Sequence, residues 1–337
     1  MRFLRVICII CVYLFSTSDV SARDNSFKLD FNGDGRTDAA VYREGSRDLS
    51  VAPQPSYWFF MDTVTGQFMT IQWGSSLDIP MPGDFDGDGI TDVGVYRWWN
   101  FDIGDVNEYW LSRSTGGWQT LTYEWEPSYN KFNRNYFGDA RSEIGQLYKV
   151  NLSSDPNNPC IISIYFAGDF FGNNIRKTVG EVCNVIPTPV PGDYNNDGYS
   201  EIAVFTNQTF KVWLAPYFSP YTTPNITQFL DVDIPTPGDY DWDGKTDFAG
   251  VKLINGRMIW RIKQSWTSNI IEVDFGFASD KPVPADYDGD GATDIAVFRP
   301  SDRSWYIWNS STAIVTGFYF GLPTDTLLAS PVIPFAL

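Results

Sequence analysis

The chain is predicted to be all-β: a propeller of about six four-stranded blades, with seven as the alternative, closed into a ring by its C-terminal strand. Three observations carry that prediction. An acidic loop that turns abruptly apolar recurs along the chain, as in PADYDGDGATDIAVFRP at Pro284–Pro300. Each unit of roughly 50 residues holds four short runs rich in aromatic and β-branched residues, which is the repeat length of propeller blades. No segment shows the 3.6-residue apolar period of a helix.

Residues 1–22 stand apart as a signal peptide. Met1–Arg5 is short and basic, Val6–Phe15 is apolar, and Val20-Ser21-Ala22 ends in the small residues that a signal peptidase reads. The apolar run is too short for a membrane span, which needs about 20 residues. The mature chain, 23–337, is therefore expected to be one domain, secreted or periplasmic after cleavage near Ala22, with no membrane insertion.

The acidic loops begin at Asp30, Asp84, Asp193, Asp239 and Asp286, and a worn copy, NYFGDARSEIGQLYKV, begins at Asn135. These six starts lie 54, 51, 58, 46 and 47 residues apart. A proline-containing lead-in (IPMPG, PVPG, IPTPG or KPVPA) precedes four of the loops, and an alternating strand follows. An aromatic strand comes next, such as SYWFFM, EYWLS, FKVWL, RMIWRI or SWYIW, and a fourth such as QFMTIQWG, IIEVDFG or TGFYFG ends many units. The chain ends ASPVIPFAL, a lead-in without a loop, whereas its first loop has only SFKL before it. The C-terminal strand is thus expected to complete the first blade and remove the exposed edges.

Cys8 and Cys11 leave with the signal, so Cys160 and Cys183 remain as an even pair in an oxidising compartment. The segment between them reads as strand, turn, strand, centred at Phe171/Gly172, which would place the cysteines opposite each other in a disulfide worth about 3 kcal/mol.

Within each loop, oxygen-bearing side chains occupy positions 1, 3, 5 and 9, and glycine occupies position 6. The sets are Asp30, Asn32, Asp34 and Asp38; Asp84, Asp86, Asp88 and Asp92; Asp193, Asn195, Asp197 and Glu201; Asp239, Asp241, Asp243 and Asp247; and Asp286, Asp288, Asp290 and Asp294. The backbone carbonyl of position 7 (Arg36, Ile90, Tyr199, Lys245 or Ala292) can complete the shell. So many carboxylates converging on one point require a cation, and a hard, oxygen-liganded ion of flexible geometry, calcium, fits best. An EF-hand would need a glutamate at position 12 and an outgoing helix, yet Val95 and Val297 stand there and a strand follows. About five sites are expected, and the loop at Asn135–Glu143 is expected to be empty, since Asn135, Phe137 and Ala140 break the pattern. Five calcium ions would bring the mature charge from −18 to about −8; the whole chain is −17 and its signal contributes +1.

DxDGDGxxD followed by such a strand resembles the FG-GAP/VCBS repeats of exported proteins and the calcium repeats of integrin α-subunit N-terminal β-propellers. The resemblance runs over essentially the whole mature chain. It implies calcium hairpins on one rim and a role in extracellular binding or adhesion.

The acidic balance excludes nucleic acid and anionic membrane surfaces as obvious partners. The chain has no histidine, no GxSxG and no phosphate loop, so no catalytic constellation emerges. The leading expectation is a binding module for a glycan or protein, not an enzyme; the alternative is a calcium-assisted polysaccharide lyase on the same scaffold. Connections between second and third strands are expected to lie opposite the calcium rim. They read as long in the first three units (Glu44–Ser56, Trp98–Glu108, Asn151–Pro159) and short in the others (Thr206–Gln208, Ile254–Gly256, Pro300–Ser304). Trp98, Trp99 and Phe101 are the candidate ligand-binding surface.

Overall fold

The computed structural model describes residues 28–46, 52–101, 104–123, 130–134, 141–150, 161–167, 174–180, 187–214 and 223–328. The segment 1–27, Cys160 and Cys183 lie outside them, so the signal and disulfide expectations fall there too.

The fold is an all-β propeller, and its described strands form six four-stranded antiparallel sheets. The first contains β1 (Ala39–Arg43), β2 (Pro55–Met61) and β3 (Phe68–Ser75). The second runs β4 (Ile79–Pro80), β5 (Val93–Phe101), β6 (Gly104–Arg113) and β7 (Gly117–Tyr123). The third runs β8 (Asn130–Arg134), β9 (Glu143–Val150), β10 (Ile161–Ala167) and β11 (Asn174–Gly180). The fourth runs β12 (Thr188–Pro189), β13 (Ile202–Thr206), β14 (Thr209–Trp213) and β15 (Ile226–Phe229). In the fifth are β16 (Ile234–Pro235), β17 (Phe248–Ile254), β18 (Arg257–Lys263) and β19 (Ile270–Phe277). In the sixth are β20 (Lys281–Pro282), β21 (Ile295–Arg299), β22 (Ser304–Trp308) and β23 (Val315–Tyr319). Finally β24 (Thr326–Leu327) returns to the first sheet and pairs with β1, Val41 facing Leu327.

Four sheets follow one template along the chain, a two-residue first strand, then the acidic loop, then the second strand, and the first sheet completes it with β24 in the first place. The expectation was about six blades, with seven as the alternative; the third sheet departs from the template. Its first strand, β8, is five residues long and carries no proline, and residues 135–140 of its loop lie outside the described set. The first strands β4, β12, β16 and β20 each end in proline, which lacks the amide hydrogen that an unpaired edge would expose.

The strand after each loop was expected to alternate, but β1 and β13 are buried on nearly every residue. Both faces of such a strand meet a neighbouring sheet, so the apolar run is continuous. Ala39 and Val41 pack against Phe298 and Trp305 of the sixth sheet, while Ala40, Tyr42 and Trp58 pack against Val93 and Val95 of the second. Trp58, Trp213, Trp260 and Trp305, all in third strands, are fully buried. Full burial of one such ring contributes on the order of 3 kcal/mol, and its indole N–H needs a partner. Trp58, Trp260 and Trp305 donate to the carbonyls of Trp73, Phe275 and Phe320 at 3.1, 2.8 and 3.0 Å.

Neighbouring sheets are also tied through their acidic loops. The amide of loop position 8 donates to the carbonyl of position 1 in an adjacent loop. Thr91 thus bonds Asp30 at 2.7 Å, Ser142 bonds Asp84 at 2.6 Å, Thr246 bonds Asp193 at 2.7 Å and Thr293 bonds Asp239 at 2.6 Å. Thr37 closes the series on Asp286 at 2.8 Å, joining the first sheet to the sixth.

The β10–β11 hairpin is present as expected. Ala167 faces Asn174, so its centre falls between Phe170 and Phe171, one residue earlier than the symmetry of the two cysteines had placed it.

Candidate metal centre

Four of the complete loops leave a two-residue strand, the first follows Lys28 and Leu29, and all five re-enter a sheet at position 10, so their carboxylates must turn inward within nine residues. Two backbone kinks achieve this. Position 6 is glycine in the left-handed region, with φ of 85° at Gly35, Gly89 and Gly244, 86° at Gly198 and 93° at Gly291. Position 4 is left-handed too, which the sequence pattern had not singled out: Gly33, Gly87 and Gly289 fit it, but Asn196 and Trp242 adopt it at φ 63° despite their side chains.

Backbone amides then fix the acids. In the second loop the Asp84 carboxylate accepts from Gly87 at 2.6 Å, Asp88 at 3.2 Å and Gly89 at 2.9 Å. Asp30 and Asp193 are held in the same way. Asp239 accepts from Asp243 and Gly244, and Asp286 from Gly289 and Gly291. Position 9 accepts the amide of position 2: Asp38 from Phe31, Asp92 from Phe85, Glu201 from Tyr194, Asp247 from Tyr240 and Asp294 from Tyr287, all between 2.7 and 2.9 Å. At position 7, Arg36, Ile90, Tyr199, Lys245 and Ala292 donate their amides to Asp34, Asp88, Asp197, Asp243 and Asp290.

Among the described residues, three of the five loops bring three carboxylates together, with one oxygen of each within 4.8 Å of the others. These clusters are Asp84, Asp86 and Asp92; Asp239, Asp241 and Asp247; and Asp286, Asp288 and Asp290. The loops at Asp30 and Asp193, with Asn32 and Asn195 in third place, form no such cluster. The third loop's Asn135, Phe137 and Ala140 lie outside the described residues.

The same three sheets carry a feature that the sequence reading missed. The turn between their third and fourth strands lies beside the acidic loop and donates to it. Ser114 gives its amide to Asp92 at 2.6 Å and its hydroxyl to Asp88 at 2.6 Å, while Thr115 gives its hydroxyl to Asp86 at 2.7 Å. Ser265 donates to Asp247 at 2.6 Å and to Asp243 at 2.5 Å, and the Trp266 amide reaches Asp241 at 3.1 Å. Ser310 and Ser311 repeat the arrangement on Asp294, Asp290 and Asp288. The available signal was a serine between the third and fourth strands, 20 to 26 residues after the acid its hydroxyl meets.

Two oxygens are left over. Asp86 Oδ1 and Asp241 Oδ1 are buried without a hydrogen-bond partner. A buried anionic oxygen without a donor is costly, and both belong to clusters where a cation would satisfy them. Burial also raises the acids. Asp38, Asp92 and Asp247 are pushed up to about 7, and Asp239 and Asp294 to about 6, mainly by desolvation, which the backbone amides only partly offset. A divalent ion supplies the missing opposite charge, so the residues fit calcium: hard oxygens, flexibly placed, with no nitrogen or sulfur donor in the set.

On the opposite side, the short connections are as expected. Asn207–Gln208 and Asn255–Gly256 are tight left-handed turns, and β21 meets β22 across Pro300–Arg303. The segment Trp98–Glu108 is not a loop, however. β5 and β6 pair continuously from Val93↔Ser112 to Phe101↔Gly104, because its aromatic and β-branched residues prefer strand. The side chains of Trp98, Trp99 and Phe101 lie outside the described residues, as does Asn151–Pro159 and part of Glu44–Ser56. Compared with protein-family models and with curated proteins, the chain matches none.

Proposed function

We propose that this chain is an exported calcium-binding β-propeller of the FG-GAP/VCBS kind, an extracellular binding or adhesion module for a glycan or protein. In this reading the third sheet serves as a sixth blade whose loop carries no ion. The observation that carries it is the pair of partnerless buried oxygens on Asp86 and Asp241, each inside a cluster of three acids. Calcium then organises the rim, and the ligand is met on the far side. Support for that side comes from β5 and β6, nine and ten residues long where β13 and β14 have five each. At about 3.3 Å per residue this hairpin reaches some 13 Å further than its counterpart.

Metal analysis of the purified chain tests the first half: about five calcium ions per chain are expected, and none bound would end the reading. Replacing Trp98 and Trp99 together tests the second: binding on that far side should vanish with the melting temperature unchanged. A collapsed variant would make those rings part of the packing instead.

A further inference from the structure

The first and second sheets border an open cavity of about 310 Å³, lined by Trp73, Gly74, Val95, Arg97, Trp110 and Trp118. Its walls are fixed in place. The Trp73 indole donates to the Trp110 carbonyl at 3.0 Å, across the gap between the two sheets, and the Trp110 indole donates to Glu108 at 3.1 Å. The rings of Trp110 and Trp118 stack with centroids 6.3 Å apart and planes 13° from parallel. Arg97 lies 5.1 Å over Trp110 and binds Asp78 through two hydrogen bonds of 2.7 and 2.6 Å. At one end the sheets come close, because a Cβ on Gly74 would sit 3.0 Å from Val95 Cγ1. Trp118 is 68% exposed.

The same framework recurs between the sixth and first sheets, where Arg43 pairs with Asp325 and covers Phe59 at 4.5 Å. There the positions of Trp110, Trp118 and Trp73 hold Phe59, Phe68 and Phe320. Their rings touch in series, at 5.9 Å and 6.1 Å. Between the first and second sheets, tryptophans stand in these three places and line the cavity.

We propose that this cavity binds one pyranose ring of a neutral saccharide, which rests on the reading of the chain as a binding module and gives that module a ligand class. The size suits a single ring, since about 300 Å³ is the lower end of small-molecule sites. Broad indole faces match the C–H face of a sugar. The charge selects a neutral one: Arg97 is already neutralised by Asp78, and a chain of −17 repels uronic acids.

The calcium-loaded full chain is titrated with neutral and uronic oligosaccharides and with a proline-rich peptide, read by tryptophan fluorescence and calorimetry. A neutral sugar should bind, and Trp118→Ala should weaken it at least tenfold with the melting temperature unchanged. Trp118→Phe, which keeps a ring against Trp110, should fall between and serves if the alanine variant does not fold. Undiminished sugar binding by Trp118→Ala overturns this site while leaving the binding module standing. Binding of uronic sugars alone, of the peptide alone, or of nothing in the panel also overturns it.

Discussion

In the second and fifth loops, Asp86 and Asp241 each keep one oxygen bonded, to the Thr115 hydroxyl and the Trp266 amide, and the other buried alone. Asp86→Asn should therefore act in opposite directions in two states. Without metal it relieves repulsion and raises the melting temperature; with saturating calcium it lowers it, and titration calorimetry should show one tight site fewer. The hydroxyls behind these acids orient them, so Ser114→Ala should weaken its site by about 10- to 100-fold, the usual loss when a ligand's outer partner is removed. The pH dependence follows from Asp92 and Asp247, raised to about 7 in the folded, metal-free chain against an ordinary 3.8. The folded state then binds protons more tightly than the unfolded one, so metal-free stability rises as pH falls through 7 towards 4. Calcium competes with those protons, so its stabilising effect shrinks over the same range. Melts at pH 8 and pH 5.5, with chelator and with excess calcium, should show the two curves converging. Trp242 makes a separate case: left-handed at φ 63° and 61% exposed, it strains the loop for no burial. Trp242→Gly should gain about 0.5–1 kcal/mol in chemical denaturation, a relief of 1–2 less the entropy of glycine.

The acidic loop is the element most legible in the sequence, because its acids and the amides that hold them lie within nine residues of one another. Spacing alone then reports geometry, down to Glu201 replacing an aspartate in the same hydrogen bond. The Ser114, Ser265 and Ser310 turns were not legible, for they meet their acids only after a strand has run out and back. Position 4 was obscured by Asn196 and Trp242, which take a glycine's conformation without being glycine. The Trp98–Glu108 segment misled in another way: it was read as a long connection, while cross-strand pairing decided for a hairpin. Nor could the tryptophan cavity be read, since Trp73 and Trp110 stand 37 residues apart and meet only because two sheets pack together.

At the scale of the molecule, the sheets are joined by packing, by β24 and by the amide links between loops. Deleting residues 326–337 removes β24 and bares the inner edge of β1, so the truncated chain should associate more than the full chain on size exclusion. Chelation should act on the whole wheel at once: calcium at ten times its dissociation constant contributes about 1.4 kcal/mol per site. The linked loops should spread that loss, giving one cooperative transition shifted downward rather than a new early one.

Ser142 keeps its bond to Asp84, although Phe137 and Ala140 stand in its loop where the other units carry turn and ligand residues. On the proposed reading the rim is a hoop with one rivet that no ion tightens. Hydrogen exchange along β9 and β10 should be the least responsive to added calcium, and a slowly heated wheel should part at that station first.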